Sequence, residues 1–329
     1  MNVVVTGATS FLGAALVKEL LGRGHEVYGV QRPHSPNRQV LERLREREDG
    51  KGRNLHIIEL ELEELDGIDR MIPVPCQVFF HFGWGGSGSQ SRLMNEVQRK
   101  NVEDSVKALC GARRLGCRRF LFSGSQAEYG VYRTPMREDM PVSPVSEYGK
   151  AKVEFGLRAK SMCRQWRETG EWEMEYIHIR IFSVYGPGDH PWSLVNTCLD
   201  TFLKGGVMEL GACSQQWNFL YIEDLVEGVM ALAFCDKPAC GETVYNLAGG
   251  EEDTRVLKSY VEEMHRLCGG EGTCVYGILP PNAEGSTNLI PDIGRIRERT
   301  GWEPRVSFEE GIRHMINRRL DAERPIQGD

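Results

Sequence analysis

The chain has 329 residues, 40% hydrophobic and 26% charged, a balance that excludes disordered and collagen-like polymers and is long enough to enclose a core without disulfide or metal staples. A formal charge of −7 and a pI near 5.7 provide no basic field for nucleic acid, and no apolar run approaches the ~18 residues of a membrane span. With no basic leader and cleavage site a cytoplasmic chain is expected, and the ten cysteines, none in a Cys-x-x-Cys pair, read as reduced, small buried hydrophobes with no metal role.

The first half alternates strand-like and helix-like segments. Asn2–Thr6 reads as a buried strand, Phe11–Arg23 as a helix, Glu26–Val30 as a strand, Val40–Glu48 as a charged helix, and His56–Leu60 and Val78–Phe82 as strands. Asn101–Leu115 carries Val102, Val106, Leu109 and Cys110 on one helical face, Arg119–Ser123 is again a strand, and a helix opens in Ser146–Lys152. Further on, Tyr176–Phe182 reads as a strand, Ser193–Leu203 as a helix, Phe219–Ile222 as a short strand and Asp224–Ala233 as a helix, with helices at Thr254–Leu267 and Phe308–Arg319. Such alternation predicts an α/β fold: a Rossmann-type doubly wound parallel sheet with a smaller C-terminal α/β substrate lobe. The expected division is a dinucleotide-binding domain of residues 1–181 with 219–248 and a substrate-binding lobe of 182–218 with 249–329.

Gly7-Ala8-Thr9-Ser10-Phe11-Leu12-Gly13 follows the first strand and opens the first helix. Unpaired N–H groups and the positive end of the helix dipole suit a pyrophosphate there, and glycine permits close approach. Ser10 stands where a middle glycine is usual; its hydroxyl narrows the approach and offers a hydrogen bond to phosphate. At the end of the second strand, where an NAD enzyme places a carboxylate for the ribose 2′-OH, the chain has Gln31 and Arg32, with Ser35 and Arg38 near. A guanidinium pairs with a 2′-phosphate that a carboxylate would repel. NADP(H) is therefore expected over NAD(H).

Tyr148 and Lys152 sit at i and i+4 on one helical face, and Ser125 lies just past a strand, where parallel sheets hold their ligands. An ammonium beside a phenol favours phenolate and brings it toward proton transfer near neutral pH. Ser125 shares the substrate oxygen and steadies developing alkoxide. Together these parts predict hydride transfer at a secondary alcohol or ketone.

Thr6–Gly13, Asn101-Val102, Phe120–Ser125, Tyr129-Gly130, Tyr148–Lys152, Arg180–Asp189, Phe219–Asp224, Tyr245–Gly250 and Gly301–Pro304 together resemble the extended short-chain dehydrogenase/reductase family, in its branch of nucleotide-sugar epimerases, dehydratases and reductases. The resemblance spans nearly the whole chain. It implies that Gly7, Ser10 and Gly13 line the pyrophosphate, with Thr9, Phe11 and Leu12 in the same turn. It puts Glu61 and Leu62 in place of the Asp-Leu pair that meets adenine, and Phe82, Gly83 and Trp84 beside the cofactor. Asn101 and Ser123, within the quoted motifs, join that set with Tyr148 and Lys152. Trp84, followed by the Gly/Ser segment Gly85–Ser89, would also face the substrate, as would Ser125, Gln126, Ser183 and Trp217. By the same resemblance a homodimer is expected through the helices Asn101–Leu115 and Tyr148–Trp166, the second with Phe155, Ala159, Met162 and Trp166 on one apolar stripe.

The departures are informative. Dehydratases of this branch follow the catalytic hydroxyl with Asp-Glu, whereas Ser125 is followed by Gln126-Ala127, which cannot do that acid–base work. Ser183 and Trp217 replace an Asn and an Arg that meet the sugar diphosphate, and Pro280–Gly285 offers no counterpart to a further Arg. Two missing guanidiniums leave a diphosphate short of charge-assisted bonds, with Lys204 as a candidate substitute. The favoured reading is a reductase of a 4-keto sugar nucleotide. The alternative is a nucleotide-sugar 4-epimerase that retains its cofactor. A reductase of a non-nucleotide ketone or a non-catalytic dinucleotide sensor stands further off.

Overall fold

The computed structural model describes residues 1–323 apart from 48, 89, 238–243, 281–284 and 286. Glu48 of the expected second helix, Ser89 of the Gly/Ser segment, Cys240, residues 281–284 of the segment searched for an arginine and the last six residues of the expected substrate lobe lie outside the described residues.

The first half of the chain builds β1 (Asn2–Thr6), α1 (Phe11–Gly22), β2 (Glu26–Gln31), α2 (Gln39–Arg45), β3 (Leu55–Glu59), β4 (Val78–His81), α3 (Asn95–Arg114), β5 (Arg119–Ser125), α4 (Glu147–Glu168) and β6 (Glu175–Ile181). The second half contributes β7 (Ser183–Tyr185), α5 (Leu194–Phe202), β8 (Val207–Glu209), β9 (Gln216–Trp217), β10 (Phe219–Tyr221), α6 (Ile222–Ala233), β11 (Val244–Leu247), β12 (Arg255–Val256), α7 (Leu257–Leu267), β13 (Thr273–Val275), α8 (Gly294–Thr300) and α9 (Phe308–Glu323).

Seven strands pair in parallel in the order β3-β2-β1-β4-β5-β6-β11. This is a Rossmann sheet with its reversal between β1 and β4. Side chains alternate across a strand, so each strand feeds two cores. Val3 and Val5 of β1, with Ile177, Ile179 and Ile181 of β6, join the apolar layer that holds Leu16 and Leu20 of α1, Leu225 of α6 and Ile312 of α9. Val4, Phe120, Phe122 and Tyr176 face the opposite layer, against Leu109 of α3 and Phe155 of α4. Strands buried on both faces read as continuous apolar runs, which is why Val3–Val5 and Phe79–Phe80 were legible. Beyond β6, the chain forms three two-stranded pairs (β7 with β10, β9 with β12, β8 with β13) separate from that sheet.

Several boundaries differ from expectation. α3 starts at Asn95 rather than Asn101, because its first turn and a half is polar and shows no apolar period. β5 runs on to Ser125, so both serines belong to the strand. The strand expected to end at Phe82 ends at His81, and α7 starts at Leu257, the preceding Arg255–Val256 being β12 instead. α8, β8, β9, β12 and β13 are each too short for periodicity to mark. On α4 the expected stripe holds: Phe155, Ala159 and Trp166 are buried and Met162 packs at the edge, while Leu157 is exposed. The nine described cysteines are free thiols, five of them buried. Among the described residues no helix is long and apolar enough to cross a membrane.

Candidate active site

A crevice of about 430 Å³ opens at the carboxyl ends of β1, β4, β5 and β6. It is walled by Ser10, Phe11 and Leu12 of the turn into α1, by Phe82 and Trp84 after β4, by Ser123–Gln126, and by Tyr148 and Lys152 of α4. Ser183, His190, Trp217 and Leu289 close its far side. A larger cavity, about 830 Å³, lies at the opposite end of the sheet among Arg118, Lys160, Arg164 and Arg167. It gathers no hydroxyl–phenol–amine set, and ligands of such sheets bind at the carboxyl ends, so the chemistry is assigned to the smaller crevice.

The glycines of the first turn act within the protein itself. Gly7 has φ +66°, and a Cβ there would stand 2.7 Å from the Phe82 carbonyl carbon. A Cβ on Gly13 would meet the Gly7 oxygen at 2.2 Å. The turn is thus packed against the end of β4 so tightly that only glycine fits at either end. Ser10 is the N-cap of α1, its hydroxyl accepting from Gly13 N–H at 3.1 Å. That capping bond is one reason for a serine at this position, which also lines the crevice.

Ser125 and Tyr148 come together: their hydroxyls share a hydrogen bond. Lys152, fully buried, donates to the Ser123 carbonyl at 2.6 Å and lies 3.8 Å from the centre of the Trp84 ring and 5.3 Å from that of Tyr148. The electrostatics differ from expectation. Burial pushes the Tyr148 phenol above its ordinary value, and what pulls it back is the Arg92 guanidinium together with the Ser125 hydrogen bond. Lys152 is itself held well below the ordinary lysine range by burial, so it is a desolvated amine whose charge the site resists. Arg92, half-buried with its guanidinium carbon 4.3 Å from the Tyr148 ring centre, was not singled out by sequence. It is one arginine in a polar loop, and only its nearness to the flagged Gly/Ser segment hinted at it.

Beneath Ser125 lies a buried ionic cluster that was equally unforeseen. Glu128 accepts from Ser125 N–H at 2.8 Å, from His178 Nε2 at 2.8 Å and from Arg180 Nε at 2.9 Å. Burial pushes its carboxyl up, but His178, Arg180 and the Ser125 amide override this and bring it down to about 2. The signal was present in β6, where Tyr176, His178 and Arg180 alternate with three isoleucines.

The remaining expected residues divide. Phe11, Leu12, Phe82, Trp84, Ser123, Gln126, Ser183 and Trp217 line the crevice. Gln126 Oε1 and Trp217 Nε1 are buried there without hydrogen-bond partners, the state of polar groups that receive a ligand. Thr9 bonds Ser35 hydroxyl to hydroxyl at 3.2 Å, beside β2. Arg32 is exposed at the end of β2, where Gln31 donates to Glu59 at 3.2 Å, and Arg38 lies 3.6 Å from Glu42. Glu61 caps the 3₁₀ turn that follows β3, and Leu62 packs beside Gly83. Asn101 does not line the crevice; its carboxamide accepts from Gly85 N–H at 2.8 Å and donates to Gly85 O at 2.7 Å, clamping the segment after β4. Lys204, the expected substitute cation, is exposed beyond α5 and away from the lining.

Fold and site together define a dinucleotide-type α/β enzyme of the extended short-chain dehydrogenase/reductase class. The sequence model of the NAD dependent epimerase/dehydratase family matches residues 3–248, and the chain belongs to that family. Among curated relatives it is 27% identical to UDP-glucose 4-epimerase of Mycolicibacterium smegmatis, over 96% of this chain and 97% of that one. It is 26% identical to UDP-glucuronic acid decarboxylase 1 of Arabidopsis thaliana, over 96% of this chain and 69% of that one. Its fold matches the crystal structure of UDP-glucose 4-epimerase from Thermotoga maritima with UDP-glucose at a TM-score of 0.82 and 23% identity, covering 98% of this chain and 100% of that one.

Proposed function

We propose that this protein is a nucleotide-sugar 4-epimerase with a retained nicotinamide cofactor, the alternative rather than the favoured reading of the sequence. The observation that carries it is the meeting of Ser125, Tyr148 and Lys152 at one end of a crevice whose described lining holds no carboxylate. Tyr148 takes or returns the proton of the C4 hydroxyl while Ser125 fixes that oxygen, and the Arg92 guanidinium with the Ser125 hydrogen bond supports the phenol's charge. Elimination needs a further acid and base at the neighbouring carbon, which Gln126 and Ala127 do not provide, so dehydration is disfavoured. The family relatives, an epimerase among them, support the same reading.

The residues fit a dinucleotide. The N-terminus of α1 with Ser10, Phe11 and Leu12 would hold its pyrophosphate, and Lys152 and Ser123 the nicotinamide half. When bound, that cofactor supplies reversible hydride acceptance at carbon. Incubation with UDP-glucose or UDP-galactose and catalytic NAD tests the proposal: interconversion without net cofactor consumption is expected. A second reading, an NADPH-consuming 4-keto reductase, is favoured by Arg32 at the end of β2; stoichiometric loss of NADPH would select it.

A further inference from the structure

The Glu128 cluster sits where Ser125 leaves the sheet. Ser125 is the last residue of β5, and the chain turns at once into the 3₁₀ segment Gln126–Glu128. That turn grips the serine twice. Ala127 N–H donates to the Ser125 hydroxyl oxygen at 3.2 Å, and Ser125 N–H donates to Glu128 Oε1 at 2.8 Å. The hydroxyl then makes its further bond to Tyr148. The carboxylate is in turn fixed from β6, the strand on which Ile181 is the register partner of Ser125. His178 Nε2 stands 2.8 Å from Glu128 Oε1, Arg180 Nε donates to Oε2 at 2.9 Å, and the Tyr176 hydroxyl meets His178 Nδ1 at 3.0 Å. All four side chains are buried. Stability does not account for such a cluster. Burying a carboxylate with its cation costs desolvation that their attraction only partly returns, and apolar side chains of similar volume are often as stable. Nor does the crevice use it directly, because Glu128 is not among the lining residues. What the cluster adds is direction, since each of its bonds admits a narrow geometry.

We propose that Glu128 is a positioning residue: its carboxylate, held by His178 and Arg180, keeps the Ser125 hydroxyl in the orientation that meets both Tyr148 and the substrate oxygen. The proposal rests on the 4-epimerase reading only for the identity of that oxygen. Misplacing a reacting group by an ångström costs about 10²-fold in rate. Glu128 therefore acts on kcat through Ser125, while touching neither substrate nor cofactor.

The test is a double-mutant cycle between Glu128→Met and Ser125→Ala, read on the interconversion of UDP-glucose and UDP-galactose with catalytic NAD. Circular dichroism checks that each variant is folded. Glu128→Met alone is expected to lower kcat about ten- to a hundredfold, with KM within about threefold of wild type. In the Ser125→Ala background the same substitution is expected to cost less than about threefold, because the group it orients is gone. Equal losses in the two backgrounds overturn the proposal, since Glu128 then serves the scaffold alone. So does an unchanged kcat in Glu128→Met. If the unpaired Arg180 prevents folding, Glu128→Met with Arg180→Met removes the pair together and takes its place in the cycle. Product analysis reads the 4-epimerase assignment separately: net consumption of dinucleotide sinks that assignment, and the cycle is then read on the reductive reaction. If no sugar nucleotide turns over, nuclear magnetic resonance of ring-labelled tyrosine reads the Ser125–Tyr148 bond directly, the Tyr148 Cζ signal being assigned by its loss in Tyr148→Phe. Glu128→Met is expected to move that signal toward its position in Ser125→Ala, and a signal that stays at the wild-type position overturns the proposal.

Discussion

The ammonium of Lys152 lies 3.8 Å from the centre of the Trp84 indole. A buried amine pressed toward neutrality keeps its proton longer over an aromatic face, an interaction worth up to ~2 kcal/mol when desolvated. Trp84→Leu keeps the site dry but removes that face. It is expected to lower kcat/KM about ten- to thirtyfold and to move the alkaline loss of activity to lower pH, while Trp84→Phe retains most of the activity. Steady-state kinetics across pH measure both. An unmoved alkaline limb in Trp84→Leu would mean that the indole is only packing.

Tyr148 and Ser125 make different contributions, and their variants should separate. Tyr148→Phe removes the proton carrier and is expected to cut kcat by about 10²–10⁴-fold, with dinucleotide affinity within a fewfold of wild type. Ser125→Ala leaves the phenol in place and removes one donor to the C4 oxygen, for a loss of about 10–10³-fold. Rapid-quench kinetics and a cofactor titration measure them. Retained turnover in Tyr148→Phe would place the proton transfer elsewhere.

Much of this was legible because it rests on local rules. The opening turn needs glycine at 7 and 13, the strands of a parallel sheet are apolar runs, and the i, i+4 spacing of Tyr148 and Lys152 follows from helix geometry. The opacity lay in relationships made only by folding. Arg92 comes from a polar loop and reaches a helix more than fifty positions on. Asn101 has the residue type of a ligand-binding position, yet its amide is used on Gly85. Sequence also assigned the phenol's tuning to Lys152, because it could weigh spacing but not burial. Burial is what pushes Lys152 down and leaves Arg92 as the opposing cation.

Gly124, between the two serines of β5, is held by the ionic cluster below it. A Cβ there would stand 2.3 Å from His178 Nε2 and 2.6 Å from Glu128 Oε1. Gly124→Ala must then pry apart contacts that neutralise a buried carboxylate, and uncovering such a charge costs about 3–5 kcal/mol. Stability in urea should fall by that order, and kcat should fall too, because Glu128 anchors the Ser125 backbone amide. A variant within ~1 kcal/mol of wild type would show that the cluster yields.

His81 sets an acid limit on stability. It is fully buried, with Nδ1 at 2.8 Å from the Thr6 hydroxyl and Nε2 at 3.0 Å from that of Ser105, and burial pushes it down to about 3. Because the folded value lies below the unfolded one near 6.5, the stabilisation is complete above pH ~6.5 and is lost as pH falls toward 3, where the unfolded chain binds a proton the native state refuses. Between pH 6.5 and 4.5 this amounts to about 2–3 kcal/mol, before most carboxylates titrate. His178, also held below its ordinary value by burial, adds to the same window. His81→Asn is expected to lower stability at pH 7, since two hydroxyls lose their shared partner, yet to flatten the acid slope. Melting temperatures of both proteins from pH 7.5 to 4.5 measure it. Parallel curves would show that some other group carries the acid sensitivity and that His81 is protonated in the folded state.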